Sequence, residues 1–218
     1  MRNIPAISEA EQQLLLGKRV FIAGCGGLGG WIAEYMARLG VAEISLCDPD
    51  VFAESNINRQ LGADMSVIGT SKVQVIRDCL LRIAPDTRVS ALGTALCAEN
   101  AASLISGHDI VFDALDSIGA RLALEDACTA ESIALVHGAV RGWTLQVAVV
   151  PPKSGMLRRL YRGMSEPETG TVLSFVPACC AAVQCAQAAA LLCGKPCTLF
   201  GKLLTADLLT MEQHTIAF

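Results

Sequence analysis

The residues best suited to chemistry lie in a glycine-rich segment and just beyond the apolar run that follows it. The segment GCGGLGG carries Gly24, Gly26, Gly27, Gly29 and Gly30, and glycines at such a place permit a tight turn that a phosphate can approach closely. Asp48 ends the next apolar run, where a carboxylate can accept hydrogen bonds from ribose hydroxyls. This combination predicts a nucleotide site, although by itself it fits NAD as well as ATP.

The polar stretch VFAESNINRQLG, residues 51–62, favours a triphosphate over a dinucleotide. Arg59 offers a planar fork and Lys72 a point charge, and both suit the negative charge that builds on phosphate oxygens during displacement. A dinucleotide enzyme has no need for such a cluster. The stretch therefore predicts phosphoryl or nucleotidyl transfer, with a polar set made of Asn56, Asn58, Arg59, Gln60 and Lys72.

The segment FDALDSIGAR supplies two carboxylates at the end of another apolar run. Magnesium usually takes only one or two carboxylates and completes its shell with water and phosphate. Asp116 is favoured as the magnesium ligand, because Asp113 still lies within the predicted strand and is interpreted as a buried capping carboxylate. The alternative is that Asp116 only caps the helix that begins near Ile118.

Apolar runs alternate with amphipathic segments along most of the chain, and this alternation predicts how the polar residues are positioned. A first helix runs from the capping box of Ser8 and Glu11 to Gly17. Alternating strands and helices with short connections imply a parallel sheet covered on both faces. Strands are expected at KRVFIAG, EISLCD, RVSALG, DIVFDAL and IALVHGAV, and helices at LGGWIAEYMARLG, SKVQVIRDCLLRIAP with Ser71 as N-cap, AENAASLIS and GARLALEDACTAE.

The pattern changes after TLQVAVVPP. We interpret KSGMLRRLYRGMSEPETG as a basic loop, the apolar segment from about Pro177 as a long helix, and KLLTADLLTMEQHTIAF as a closing hairpin. The predicted fold class is α/β: a doubly wound, Rossmann-like, mostly parallel sheet with helices on both faces and a C-terminal antiparallel extension. We expect a single domain over residues 1–218.

Composition excludes several other classes of protein. The chain has 218 residues and a net charge of -4, which argues against a partner that is nucleic acid, since coating phosphates needs a positive field. The apolar helix carries Gln184 and Gln187 near its middle, so a buried helix is expected and not a membrane span. Ten scattered cysteines in a chain of this size indicate reduced thiols, most of them in the core, and a cytoplasmic protein.

Four separated motifs, GCGGLGG, CDPDVFAESNINRQL, GTSK and DALDSIGAR, resemble in order and spacing those of the ThiF, MoeB and HesA family of adenylyltransferases, the bacterial relatives of ubiquitin-activating enzymes. The resemblance runs from about Ser8 to Val150 and more weakly to LLCGK. It implies ATP and Mg²⁺ as the small molecules bound. By resemblance, phosphate is bound by four glycines, Gly24, Gly26, Gly27 and Gly29, and the ribose by Asp48. The phosphates are also contacted by Asn56, Arg59 and Gln60. The resemblance further implies that Lys72 stabilises charge at the α-phosphate and that Asp116 binds magnesium.

The resemblance also implies the substrate, a small ubiquitin-like sulfur-carrier protein of the ThiS or MoaD type that ends in Gly-Gly. Its C-terminal carboxylate would attack the α-phosphate, in thiamine or molybdopterin-type cofactor biosynthesis. An ionised carboxylate needs no general base, so Arg59, Lys72 and the Asp116 metal suffice as catalytic groups. Three alternatives stay open: adenylation of another carboxylate, as in tRNA modification; an NAD-linked oxidoreductase; and a non-catalytic scaffold that binds the carrier.

The chain departs from the family pattern in its cysteines. The first zinc-binding pair would fall near GMLRRLYRGM, which has no cysteine, so no zinc is expected. The position of a catalytic cysteine, near Pro167 to Gly170, has none either. Cys179 and Cys180 lie close by, but their apolar neighbours favour core thiols, so we expect adenylation without an enzyme thioester.

Other departures concern the subunit arrangement and the basic loop. A homodimer is expected from the family, yet the arm RYxRQ that carries an arginine into the partner subunit's site is missing, with Arg2 or Arg19 as candidate substitutes. Ser117 stands where an asparagine is common. A set of basic residues either docks an acidic carrier or forms a solvated surface: Lys153, Arg158, Arg159 and Arg162.

Overall fold

Eight strands form one continuous sheet in the computed structural model, which describes residues 3–166 and 170–218. In chain order they are β1 (Arg19–Ala23), β2 (Glu43–Cys47), β3 (Arg88–Leu92), β4 (Ile110–Asp113), β5 (Leu135–Arg141), β6 (Thr144–Val150), β7 (Lys202–Asp207) and β8 (Gln213–Ala217).

The strand order confirms the predicted fold class. The sheet runs β3-β2-β1-β4-β5-β6-β7-β8, and the first five of these strands are parallel, whereas β5 to β8 pair antiparallel. From β1 the chain builds outward through β2 and β3, then returns to the other side of β1 to form β4. The order therefore reverses between β1 and β4, and the crevice beyond their carboxyl ends is where such folds bind ligands.

Helices cover both faces because the strands carry apolar side chains on both. In β1, Val20 and Ile22 enter one core and Phe21 and Ala23 the other, as the two-residue period of a strand requires. The helices are α1 (Glu9–Leu15), α2 (Gly29–Leu39), α3 (Lys72–Ile83) and α7 (Phe175–Leu192) on the first core, and α4 (Ala101–Ile105), α5 (Ile118–Glu131) and α6 (Met156–Leu160) on the second.

The capping prediction is confirmed for α1 and wrong in part for α3. Ser8 Oγ accepts a hydrogen bond from the Glu11 amide, and the Glu11 carboxylate accepts one from the Ser8 amide. Ser71 does occupy the N-cap position of α3, but its hydroxyl forms no capping hydrogen bond. The first amide of that helix, of Lys72, instead donates to the carbonyl of Asp50 at 3.0 Å, so a backbone contact replaces the side-chain cap.

The segment predicted as a basic loop contains the short helix α6. Gly155 precedes it with φ 59°, and the buried carboxylate of Glu125 on α5 accepts hydrogen bonds from the amides of Leu157 at 2.8 Å and Arg158 at 3.0 Å. The helix was missed because a tertiary contact satisfies its first amides. Arg2 and most of the position considered for a catalytic cysteine, residues 167–169, lie outside the described residues.

Helix α7 is long and apolar enough to cross a membrane by length and composition. In this fold it packs against α2, β5 and β6, and its Gln184 is fully buried and donates to the carbonyls of Asp113 and Val136. Cys180 is buried in the same face, and burial raises the pKa of its thiol, whereas Cys179 is half-buried. The core-helix interpretation therefore agrees with the packing, and all ten cysteines are free thiols.

Candidate active site

The glycine turn after β1 is shaped by two glycines that tolerate no side chain. Gly24 has φ 92°, and a Cβ there would lie 2.5 Å from the carbonyl oxygen of Ala114 beyond β4. A Cβ on Gly29 would overlap the carbonyl oxygen of Gly24. Because neither position has room for a side chain, the end of β1 packs directly against the start of α2 and the residue that follows β4. In folds of this kind the free amides of such a helix N-terminus lie at the crevice beyond the strand ends.

The other two glycines of the turn have space beside them, and the polar loop lies next to that space. A Cβ on Gly26 would come no closer than 3.7 Å to Gln60 Nε2, and one on Gly27 would lie 3.4 Å from the Pro177 ring and 3.9 Å from Arg59 Cδ. The structure thus brings Arg59 and Gln60 to the glycine turn. A bare backbone with cationic and amide side chains beside it fits the phosphates of a nucleotide.

Asp48 holds the turn from the neighbouring strand. Its Oδ2 accepts a hydrogen bond from the Cys25 amide at 2.6 Å and its Oδ1 one from the Asp50 amide at 2.8 Å. Each carboxylate oxygen can accept more than one hydrogen bond, so the predicted contact with ribose hydroxyls remains chemically open. The structure adds a second role, because Asp48 ties the glycine turn to the end of β2.

The polar loop begins with a short 3-10 turn, Glu54–Asn56, and its side chains divide into two kinds. Asn56 is buried, and its Oδ1 accepts from the Ala53 amide at 3.0 Å, which shapes the loop. Arg59 is half-buried and donates from Nη1 to Asn58 Oδ1 at 2.8 Å. Gln60 Oε1 is buried without a hydrogen-bond partner in residues 3–166 and 170–218, so it can accept from a donor that a nucleotide supplies.

Lys72 has a partner that the sequence analysis missed. Its ammonium lies 2.9 Å from Asp50 Oδ2, and its side chain is only 7% exposed whereas that of Asp50 is 64% exposed. Asp50 therefore holds the buried lysine at the edge of the crevice and is itself solvated. The sequence did contain a signal for this role, because Asp50 follows Asp48 by two residues just beyond β2.

Asp113, the last residue of β4, is buried as predicted, whereas Asp116 lies beyond the end of the strand. Asp113 is fully buried and accepts hydrogen bonds from the Leu115 amide at 3.0 Å and from His137 Nδ1 at 2.6 Å. Asp116 is exposed and forms no hydrogen bond or ion pair with any described residue. The alternative role for it as a helix cap is wrong, because Ser117 is the N-cap of α5 and its Oγ accepts from the Ala120 amide at 3.3 Å.

A lone free carboxylate fits magnesium, which needs few protein ligands when phosphate supplies the rest. Within the described ranges, no group of three or more histidine, cysteine, aspartate or glutamate side chains could hold a metal ion by itself. Asp116 is thus the candidate ligand at the crevice. The expectation that the chain holds no zinc stays a prediction.

The remaining candidates lie away from the crevice or are engaged elsewhere. Arg19 is at the amino end of β1, where its Nε lies 3.3 Å from Glu43, so it does not reach the glycine turn of its own chain. Among the basic residues, Arg158 pairs with Asp126 at 2.7 Å and Arg159 lies over the Phe218 ring at 5.6 Å. Lys153 and Arg162 are exposed.

The doubly wound sheet, the glycine turn with Arg59 beside it and the free carboxylate of Asp116 define a class: proteins of Rossmann-like fold with a nucleotide-type crevice. The chain belongs to the ThiF family, whose model matches residues 1–218. The predicted family is thereby confirmed.

Curated relatives confirm the predicted enzyme class, an ATP-dependent adenylyltransferase. The chain is 32% identical to a SAMP-activating enzyme E1 of Haloferax volcanii over 213 residues, which cover 95% of this chain and 79% of that protein. It is 30% identical to the molybdopterin-synthase adenylyltransferase of Escherichia coli over 208 residues, 92% of this chain and 83% of that protein. A probable adenylyltransferase/sulfurtransferase MoeZ of Mycobacterium tuberculosis is 33% identical over 224 residues, 98% of this chain but 57% of the relative.

Solved structures agree on the fold. Escherichia coli MccB with succinimide superposes with a TM-score of 0.85 at 17% identity, over 95% of this chain and 66% of that one. The tRNA N6-threonylcarbamoyladenosine dehydratase TcdA of E. coli gives 0.75 at 24% identity, over 87% of this chain and 91% of that one. At such identities these likenesses concern the fold alone.

Proposed function

We propose that this protein uses ATP to adenylate the C-terminal glycine carboxylate of a small ubiquitin-like sulfur-carrier protein of the ThiS or MoaD type. The observation that carries the proposal is the position of Arg59 and Gln60 against the open side of the glycine turn, where phosphates would lie. Support for the carrier comes from two relatives at least 30% identical, one named as SAMP-activating and the other as a molybdopterin-synthase adenylyltransferase.

In this mechanism the residues position two anions and neutralise charge. The amides at the start of α2 and the glycine turn hold phosphate oxygens, and Arg59 adds a guanidinium beside them. A carrier carboxylate oxygen forms a bond to the α-phosphorus while the bond to the bridging oxygen breaks, which gives an acyl adenylate and pyrophosphate. No proton is transferred in that step, because the nucleophile is already ionised, so no general base is needed.

Lys72 and Asp116 complete the proposed machinery. The buried Lys72 ammonium is held by the solvated carboxylate of Asp50. Moving it to a phosphate oxygen would keep it paired with an anion and leave the Asp50 carboxylate in water, so no buried charge is left unpaired. Asp116 would hold magnesium, which when bound neutralises charge on phosphate oxygens. Lys72 is the first residue of α3, and Asp116 lies in the short connection between β4 and α5.

The molecular setting of the reaction is part of the same proposal. We expect residues 1–218 to act as one adenylyltransferase domain, without zinc, in a cytoplasmic homodimer. Light scattering on the purified protein tests the dimer, and a monomer at working concentrations would contradict it. Elemental analysis tests the zinc, and a stoichiometric amount of the metal would overturn that expectation.

ATP–pyrophosphate exchange tests the proposed function. The assay contains Mg²⁺ and, in turn, a ThiS-like carrier, a MoaD-like carrier, and each carrier without its Gly-Gly tail. Exchange that requires an intact tail is the expected result, and the more active carrier indicates the pathway. ATP binding without exchange would favour the scaffold, and exchange only with another carboxylate, such as one on tRNA, would favour that substrate. Tight NAD binding with none for ATP would overturn the proposal altogether.

A further inference from the structure

A buried polar cluster lies directly behind Asp116 and is not part of the proposed ATP contacts. It joins side chains from β4, α5, β5 and β6 and from the residue that follows α6. Asp113 and His137 are fully buried, and Arg121 is 7% exposed. The cluster consists of Asp113, Arg121, His137, Gln146 and Tyr161.

The cluster holds both polar groups of the residue that precedes Asp116. Asp113 Oδ1 accepts from the Leu115 amide at 3.0 Å, and Arg121 donates to the Leu115 carbonyl from Nε at 3.2 Å and also from Nη2. Leu115 is thus fixed by a buried carboxylate on one side and a buried guanidinium on the other. The next side chain, that of Asp116, is exposed and free within the described part of the chain.

The hydrogen bonds within the cluster fit one arrangement of protons. The Asp113 carboxylate can only accept, so His137 Nδ1 donates across the 2.6 Å contact and Nε2 is the acceptor. The Tyr161 hydroxyl can donate to Nε2 at 3.2 Å while it accepts from Arg121 and from Gln146 Nε2 at 2.9 Å. Arg121 Nε lies 3.8 Å from Asp113 Oδ2, and burial lowers the pKa of His137, which favours the uncharged imidazole.

We propose that Arg121, braced by Asp113, His137 and Tyr161, is a positioning residue that fixes Asp116 for binding the metal ion of the nucleotide complex. The inference rests on the proposed function and deepens it at the same site. Groups that orient a metal ligand commonly change metal affinity by about 10- to 100-fold when they are removed. A cluster with only a structural role would lower stability and leave the metal dependence of nucleotide binding unchanged.

The test compares ATP affinity with Mg²⁺ and with EDTA by calorimetry, so that it needs no turnover. Arg121→Lys keeps the charge but removes the planar fork that spans Leu115 and Tyr161. Tyr161→Phe is the smaller structural change, since it removes one hydroxyl and keeps the ring, whose centroid lies 5.9 Å from that of the His137 ring. We expect both to weaken ATP binding about tenfold with Mg²⁺ and to leave binding in EDTA unchanged. Arg38→Lys, at an exposed arginine paired with Glu34 on α2, is the matched control and should change neither.

Amide hydrogen exchange gives a second readout that involves no metal. The amides of Leu115 and Asp116 should exchange faster in both cluster variants and at the wild-type rate in the control. His137→Asn can still donate to Asp113 and should retain more of the Mg²⁺ effect than His137→Ala.

Equal loss of affinity with and without Mg²⁺, or unchanged exchange at Leu115 and Asp116, would overturn the inference. Failure of the proposed function can be distinguished from failure of this inference. If the wild-type protein binds Mg²⁺–ATP but adenylates no carrier, the comparison of variants still decides whether the cluster positions Asp116.

Discussion

Gly26 and Gly29 of the glycine turn have different surroundings. Substitution of Gly26 therefore tests nucleotide binding, whereas substitution of Gly29 tests folding. A methyl group on Gly26 would meet only the Gln60 side chain at 3.7 Å, in the space where phosphate is expected. We expect Gly26→Ala to fold with wild-type stability and to lose at least about tenfold in ATP affinity, because close approach to the backbone is blocked. Gly29→Ala would press against the Gly24 carbonyl and should lower the melting temperature. Equal ATP affinity of Gly26→Ala and the wild type would contradict this account of the turn.

Arg59 and Lys72 are expected to act mainly on the transition state. Each alanine substitution should remove about 3 kcal/mol of transition-state stabilisation, as for the loss of one preorganised donor. Arg77→Ala is the control, since Arg77 lies on the same helix as Lys72 but pairs with Asp78 at the surface. The measurement is the rate of carrier-dependent pyrophosphate exchange at saturating ATP. Near-normal rates in Arg59→Ala and Lys72→Ala would remove both residues from the mechanism.

His137 makes stability depend on pH in a defined direction. Burial lowers its pKa from the ordinary 6.5; the Asp113 hydrogen bond opposes this, but Arg121 already neutralises that carboxylate. The unfolded chain therefore takes up the proton first as the pH falls. This contribution to stability is complete above pH 6.5 and is lost as the pH drops below that value toward the lowered pKa. Urea unfolding between neutral and mildly acidic pH should show a steeper loss for the wild type than for His137→Asn. Parallel pH profiles would be the contrary result.

At the residue scale, the sequence predicted which polar side chains lie near the crevice, but it did not predict every hydrogen-bond and ion-pair partner of those side chains. Asp113 and Asp116 were separated correctly because one lies within an apolar run and the other beyond it. The pairing of Lys72 with Asp50 joins residues 22 apart in the chain, and no local pattern specifies such a contact. The assignment of Arg59, Gln60 and the other residues to ATP and its metal stays a prediction until variants are measured.

At the scale of single elements, the stability of α6 depends on one carboxylate from α5. Glu125 is 3% exposed and accepts from two amides at the start of α6. Glu125→Ala would leave the buried Leu157 amide without a partner, which costs about 1–3 kcal/mol in the free energy of unfolding. Asp126→Ala is the control, because its ion pair with Arg158 is exposed, and we expect little change in unfolding by urea. Equal stability of both variants would show that Glu125 does not hold the helix.

The elements themselves were predictable where apolar periodicity is long and uninterrupted. The five parallel strands, the long helix α7 and the closing hairpin were all found from such runs. Helix α6 was not, because it has only five residues and its first amides are satisfied by Glu125. Helix α4 is also shorter than its segment suggested, beginning at Ala101. Short elements depend on contacts from elsewhere in the chain, which a local pattern does not contain.

At the scale of the whole molecule, the sheet order explains how residues distant in sequence form one crevice. The reversal between β1 and β4 places the glycine turn next to Asp116, and β2 delivers Asp48 and Asp50 to the other side of the turn. This arrangement could be predicted because alternating strands and helices allow few topologies. The identity of the carrier could not be predicted in the same way, because it depends on a surface match between two proteins.

The central claim is that the adenylyl group of ATP, which contains the α-phosphate, is transferred to the carrier's C-terminal carboxylate. The most direct measurement follows ATP labelled at the α- or the γ-phosphate after mixing with the enzyme, Mg²⁺ and a carrier, with the same carrier lacking Gly-Gly as the control. We predict that only the α-label becomes attached to the intact carrier and that the γ-label leaves in pyrophosphate. Label from the γ-phosphate on the carrier, or α-label on the tailless carrier, would contradict the account.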